Sequence, residues 1–207
     1  LLLQLEESKA NLQVIQAEKA NAETSLKNAQ QNLEDVITLA EESLVNAYQD
    51  ALNTLDDTYL KICSAYTSVS SIKRTYFERG DLASIDVVEN KDKIEKALNQ
   101  TKFYIDDAKK TLKNEDIDLA LSKVKEALLN IKSALEKIRD IAGSGAYLDI
   151  VSNSDRAALD TQKSNINTAY SNIADSQQNI STIKINNTAN INTAKSKVLE
   201  IENQLQE

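Results

Sequence analysis

Paired acidic residues are the side chains of this sequence best suited to chemistry. They occur at Asp56-Asp57, Asp106-Asp107 and Asp116-x-Asp118. Adjacent residues on a helix point about 100° apart, so these carboxylates do not converge as a general acid and base. The segment Asn114-Glu115-Asp116-Ile117-Asp118 lacks the glycine and the distal glutamate of an EF-hand loop. We therefore predict that the acids form solvated helix faces.

The other residue types that catalysis and metal binding commonly need are scarce. Histidine is absent and Cys63 is the only cysteine. This composition removes His-based triads, the common zinc sites and the Glu-x-x-His di-iron site. Cys63 lies in an apolar helical stretch, which favours a packing role over a reactive thiol. We predict no catalytic residues, no cofactor-binding residues and no metal ligands, and expect a protein that is not an enzyme.

Two short motifs have simpler explanations than function. Arg79-Gly80-Asp81 spells an integrin-type tripeptide, but a glycine there also suits the turn that ends a helix. The N-glycosylation pattern occurs at Asn99, Asn179 and Asn186. Such matches are expected by chance in asparagine-rich helices, so neither motif is taken as a site.

The composition predicts few and long helices. The 207 residues include no proline and only three glycines, Gly80, Gly143 and Gly145. The net charge of −8 argues against a nucleic-acid partner, which would need clustered Lys and Arg. No run of 18 or more apolar residues occurs, so we expect no membrane span, and no signal peptide is visible.

Both outer parts of the chain carry a narrow apolar seam in steps of three and four, the spacing of a coiled coil. The N-terminal seam consists of Leu5, Leu12, Ile15, Ala22, Leu26, Ala29, Leu33, Val36, Ala40 and Ala47, with Ser8, Lys19 and Ser43 in the remaining positions. The C-terminal seam consists of Leu159, Ile166, Ala169, Ile173, Ile180, Ile183, Ile191, Ala194, Val198, Ile201 and Leu205. Asn187 falls where two four-residue steps adjoin, which is a stutter. Because the two outer parts of the chain are of similar length, we predict that they pair antiparallel as the arms of a hairpin.

The middle of the chain differs, because it holds all three glycines, and eight of the nine aromatic residues lie between Tyr48 and Tyr147. We expect the first helix to continue through Tyr76 and to stop at Arg79-Gly80-Asp81, with Gly80 as its C-terminal cap, and a second helix to begin at Ser84. Its predicted inward residues are Val87, Ile94, Leu98, Ile105, Ala108 and Leu112. Asn114 is predicted to cap a third helix, with Glu115 and Asp116 in its first turn, and Ser152, Asn153 or Ser154 to cap the last, with Asp155 in its first turn.

The third helix has the widest apolar stripe. Leu121, Leu128 and Leu135 flank a seam of Ile117, Ala120, Val124, Ala127, Ile131, Ala134, Ile138 and Ile141. A stripe this wide contacts more than one neighbour. The predicted fold class is all-α, a long antiparallel coiled-coil hairpin with a three- or four-helix bundle at its tip. The predicted domains are an ascending arm (1–55), the tip bundle (56–152) and a returning arm (153–207).

The arms resemble the α-helical hairpin of HlyD- or MacA-like membrane fusion proteins, the adaptor subunits of bacterial efflux and secretion systems. The resemblance lies in Leu26-Lys-Asn-Ala-Gln-Gln-Asn-Leu33 and the stretch from Asn46 to Leu60. On the returning arm it lies in the stretch from Ser154 to Ala169 and in Asn190-Ile-Asn-Thr-Ala-Lys-Ser-Lys-Val198. Many members carry an Arg, Leu, Ser signature at the tip that docks a TolC-like channel. Arg74 and Arg79 do not match that spacing.

The resemblance implies a spacer and assembly element of an extracytoplasmic transport adaptor, in the periplasm or cell envelope, within a membrane-anchored parent protein. It implies protein partners, namely the transporter complex and neighbouring copies in a homo-oligomer, and lipoyl-like β-rich halves on both sides. Two alternatives stay open. An extracytoplasmic sensor bundle predicts flanking transmembrane helices, a signalling domain and a ligand pocket. A generic coiled-coil surface protein predicts heptads that continue beyond both ends.

Overall fold

The computed structural model describes residues 2–206. Within them the chain forms four long helices and one turn of 3₁₀ helix (Gly145–Tyr147): α1 (Leu2–Tyr76), α2 (Leu82–Thr111), α3 (Asn114–Ala142) and α4 (Asn153–Gln206). No β-strand occurs in this described part of the chain. The predicted all-α fold class is confirmed. No helix between residues 2 and 206 combines the length and apolarity that crossing a membrane requires.

Around the loop between α1 and α2, two predictions were wrong: the end and cap of α1, and the first residue of α2. The helix α1 ends at Tyr76, and Phe77 leaves it with its side chain buried. Gly80 has a φ of +73° but lies within the loop, so it does not cap α1. The helix α2 begins at Leu82, two residues before the predicted start, because Asp81 is its N-cap and accepts a hydrogen bond from the Ser84 amide at 2.7 Å.

The start of α3 also differs from the prediction, whereas the start of α4 confirms it. Asn114 is the first residue of α3, and the N-cap is Lys113, whose side chain makes no capping bond. Glu115 and Asp116 lie in the first turn, as predicted. At α4, the Ser152 hydroxyl accepts a hydrogen bond from the Asp155 amide at 3.0 Å, so one of the three candidate residues is the cap.

The turn between α2 and α3 places Leu112 in a strained conformation. Leu112 has a φ of +53°, the left-handed region that favours glycine, and its side chain is exposed instead of pointing inward as predicted. We expect Leu112→Gly to raise the free energy of unfolding by about 1 kcal/mol, because it relieves this strain and removes no buried contact. Urea denaturation measures the change. Leu112→Ala keeps the Cβ, so an equal gain in that variant would contradict the explanation.

The chain divides into two compact units. The first contains α1 up to Asn46 together with α4 from Ser181 onward, and the second extends from Ala47 to Ile180. In the first unit the two helical segments pair antiparallel, with Ala40, Ala194 and Ile201 buried. This pairing is the arrangement that the two seams predict.

A polar contact lies within the seam of the first unit. The Asn187 side-chain amide donates to the Ala40 carbonyl at 2.7 Å and to the Ser43 hydroxyl at 3.1 Å. A polar residue at a coiled-coil seam stabilises one register, because any slip would bury it without a partner. Asn187 and Ser43 therefore fix which residues of α1 and α4 face each other.

The apolar seam at the beginning of α1 is not buried against any other described helix. Leu5, Leu12 and Ile15, which the seam pattern places inward, are all more than half exposed. Gln206 lies 19 residues beyond Asn187, so in this register it falls opposite roughly residue 24. The seam before that point has no opposing helix within residues 2–206.

The second unit contains four helical segments: the end of α1, all of α2 and α3, and the beginning of α4. Contacts join α1 to α2 through Asp56 and Lys109, and α1 to α4 through Thr54 and Ser176. Arg139 and Asp160 join α3 to α4. The wide apolar stripe of α3 lies at the centre, with Leu121, Leu128 and Leu135 fully buried as predicted.

Candidate docking surface

One member of each acidic pair makes its own contact within the second unit. Asp56 forms an ion pair with Lys109 at 2.5 Å, and Asp106 with Lys102 at 2.7 Å. Asp118 accepts a hydrogen bond from the Tyr48 hydroxyl at 2.9 Å. Between residues 2 and 206, no three His, Cys, Asp or Glu side chains are grouped so that they could hold a metal ion. Cys63 is half-buried.

Aromatic side chains join the two loops at one end of the second unit. The Tyr147 ring stacks on Phe77 with centroids 4.4 Å apart, and its hydroxyl donates to Asp81 at 2.8 Å. The Ser84 hydroxyl lies 3.1 Å from the Tyr147 hydroxyl oxygen. The loop after α3 is thereby tied to the cap of α2. This contact needs both loops, so helix periodicity did not predict it.

A second tyrosine ties the end of α1 to the beginning of α4. The Tyr76 hydroxyl donates to the Asp155 carboxylate at 2.7 Å, and the Ser152 hydroxyl donates to it at 2.6 Å. Asp155 thus accepts from a neighbouring helix and from its own helix cap. The two tyrosines give this end of the second unit a defined shape, in spite of its loops.

These hydrogen bonds predict acid-dependent stability. Hydrogen bonds from Ser84 and Tyr147 lower the pKa of Asp81, and hydrogen bonds from Ser152 and Tyr76 lower the pKa of Asp155. A carboxylate whose folded-state pKa is lowered stabilises the fold above its unfolded-state pKa of about 3.9, and this contribution is lost as the pH falls through the folded-state pKa. We expect the free energy of unfolding to fall below roughly pH 4.

Urea denaturation between pH 7 and pH 3 measures this dependence. The double variant Asp81→Asn/Asp155→Asn should show a shallower decline than the wild type, because neither side chain titrates. The control is Asp57→Asn/Asp107→Asn, which removes two exposed carboxylates elsewhere in the second unit. If the free energy of unfolding of Asp81→Asn/Asp155→Asn fell as steeply with pH as that of the control, Asp81 and Asp155 would not be the source of the acid dependence.

An apolar groove of about 730 Å³ lies over the two loops that Tyr147 joins. We call it the loop face and define it by the exposed residues Leu82, Ile85 and Ala146, the half-buried Ile141 and the buried Tyr147. Leu82 is 81% exposed and Ile85 is 47% exposed, although both belong to a well-formed helix. Exposed apolar residues that cluster around a groove are typical of a protein interaction surface.

The charges around the loop face are mainly acidic. Asp81 and Asp86 line its groove. Glu78 and Glu89 line an adjoining groove that shares Gly80 and Ile85, together with one lysine, Lys73, which pairs with Glu78 at 3.4 Å. The loop face therefore suits a partner with apolar side chains flanked by Lys or Arg.

The sequence pattern marks no residue of the loop face as functional. The clustered aromatic residues and the glycines of the middle stand out in it, but Leu82 and Ile85 do not. One available signal was that Leu82 and Ile85, the first and fourth residues of α2, are apolar but lie on the side of α2 opposite its inward stripe. Comparisons with models of known families, with curated proteins and with solved structures found no match to this chain.

Proposed function

We propose that this chain is the non-enzymatic spacer and docking hairpin of an extracytoplasmic transport adaptor, a membrane fusion protein. The observation that carries the proposal is the antiparallel pairing of α1 and α4 in the first unit, held in one register by Asn187 and Ser43. A register-locked helix pair is stiff along its axis and suits a spacer. The resemblance of the arms to adaptor hairpins supports the same function.

The loop face supports a docking function for the second unit. The proposed occupant is a protein of the transport assembly whose surface presents apolar side chains beside basic ones. Its apolar side chains would cover Leu82 and Ile85, and its basic side chains would approach Asp86 and Glu89. Tyr147 and Tyr76 hold the surface in place before binding, which reduces the entropy lost on docking.

Neighbouring copies of the chain are the proposed partners of the first unit. A groove of about 750 Å³ lies beside its seam, lined by Val36 and Leu39 on α1 and by Asn190 and Thr193 on α4. Leu39 is largely exposed there. A third helix from another copy would cover this groove, as in a side-by-side oligomer.

Photo-crosslinking in cells tests the docking function. A photoreactive amino acid at Leu82 should form an adduct with a transporter subunit or an envelope channel protein. The matched control is Leu60, an exposed leucine on α1 about 24 Å of helix away from Tyr76. No adduct from Leu82, or an adduct with a signalling protein, would overturn the proposal.

A paired deletion tests the spacer function. Residues 29–35 and 195–201 face each other in the register fixed by Ser43 and Asn187, so removing both heptads shortens the pair and keeps the seam aligned. The shortened protein should stay helical but lose the crosslink from Leu82, because a spacer function requires the full length of the helix pair. An unchanged crosslink would contradict a spacer of defined length.

The sensor alternative has one observation in its favour, a polar groove between α2 and α3 lined by Lys93, Lys96 and Lys137. The coding sequence on both sides of this chain would distinguish the adaptor, the sensor and the coiled-coil surface protein. Lipoyl-like β-rich halves support the adaptor and its membrane-anchored, extracytoplasmic location. Transmembrane helices followed by a signalling domain support the sensor, and continuing heptads support a coiled-coil surface protein.

A further inference from the structure

The groove between α2 and α3 gathers positive charge in an acidic protein. We call it the lysine groove and define it by Asn90, Lys93 and Lys96 on α2 and by Asn130, Ser133 and Lys137 on α3. Its volume is about 410 Å³. Ala97 and Ala134, which also line it, are small enough to leave a depression between the helices. The whole chain has a net charge of −8, so a concavity with three lysines is a local exception.

The three ammonium groups form no ion pair within the described part of the chain. Within residues 2–206, no carboxylate oxygen lies within 4.0 Å of Lys93, Lys96 or Lys137. Glu126 also lines the groove, but its carboxylate pairs with Lys123 at 3.2 Å. Three like charges around one depression repel one another, and an anion between them would relieve that repulsion.

A buried amide helps to place one of the lysines. Asn90 is only 4% exposed, and its side-chain nitrogen donates to the Asp86 carbonyl at 2.7 Å. Its side-chain oxygen is thereby oriented to accept from the Lys93 ammonium at 3.4 Å. The Lys93 charge is therefore held at the groove by a side chain that is itself fixed.

We propose that the lysine groove binds a phosphate-bearing anion. Lysine ammonium groups bind phosphate oxygens as point charges, and the Ser133 hydroxyl and the Asn130 amide supply further donors. Three cations favour a ligand with at least two negative charges over a single carboxylate. The proposal goes beyond the spacer function, which needs no small ligand.

Titration with sodium pyrophosphate, followed by ¹⁵N NMR at low ionic strength, tests the proposal. Saturable shifts should appear at Asn90, Asn130 and Ser133. Lys93→Gln/Lys137→Gln should weaken binding roughly tenfold or more, because it removes two charged donors. Both lysines are exposed and neither forms an ion pair, so the variant should fold normally. The control, Lys27→Gln/Lys110→Gln, makes the same change in net charge at exposed sites elsewhere.

Sedimentation with lipid vesicles distinguishes two sources of the phosphate. If phosphatidylglycerol vesicles bind the wild type but not Lys93→Gln/Lys137→Gln, and phosphatidylcholine vesicles bind neither, the ligand is a lipid headgroup. If pyrophosphate binds and no vesicle does, the ligand is a free phosphate anion. Absence of binding in both experiments, or equal weakening in the control variant, would overturn the proposal.

Discussion

Leu128→Ala should lower the free energy of unfolding of the second unit by about 2–5 kcal/mol. Leu128 lies in the wide apolar stripe of α3 and is completely buried, so alanine removes apolar contacts and leaves a cavity. The loss is a large part of the stability of an ordinary domain. Urea denaturation followed by circular dichroism measures it.

The adjacent Leu129 supplies the matched control for this prediction. It belongs to the same helix and is 50% exposed. Because both substitutions replace leucine by alanine in the interior of α3, the change in helix propensity is the same. Leu129→Ala should cost less than about 1 kcal/mol. Equal losses in the two variants would show that Leu128 does not lie in the core.

Gln162→Leu should raise the free energy of unfolding by about 1–3 kcal/mol. Gln162 occupies a seam position of α4 between Leu159 and Ile166, and it is 8% exposed. Its side-chain oxygen has no hydrogen-bond partner among the described residues. A buried acceptor without a partner costs roughly this much, and leucine of similar size removes the cost. The midpoint of urea denaturation gives the change in stability.

A second glutamine on the same helix serves as the control. The side-chain oxygen of Gln177 accepts a hydrogen bond from Lys125 at 3.1 Å. Gln177→Leu removes a satisfied contact, so we expect no gain in stability. If both variants gained equally, general hydrophobicity would explain the result instead of the unsatisfied oxygen of Gln162.

The helical composition and the core of α3 were predictable because they depend on local periodicity. In the absence of proline, two of the three loops between the long helices lie at the glycine-containing segments, whereas the turn at Leu112 and Lys113 contains no glycine. Leu121, Leu128 and Leu135 are buried because helical spacing places them on one side. Capping residues were less predictable, since Asp81 and Asn114 are equally good caps by residue type, and only the path of the loop decides which is used.

The register of the helix pair and the loop face depend on contacts between distant segments. A seam with a heptad repeat tolerates slips of seven residues, so it predicts pairing but not register. Ser43 and Asn187 stood out separately as polar seam positions, and only the structure shows that they face each other. Tyr147 reaches Asp81 across two loops whose conformations helix periodicity does not determine.

The central claim is that the chain doubles back on itself, and a disulfide trap tests it most directly. Cysteines replace Ser43 and Asn187 in a Cys63→Ala background, and a second protein carries Val36→Cys with Asn187→Cys, two helical turns out of register. Mild oxidation should cross-link the first protein rapidly within single chains, as non-reducing electrophoresis would show, and the second far more slowly. Cross-links chiefly between chains, or equal rates for both pairs, would contradict the account.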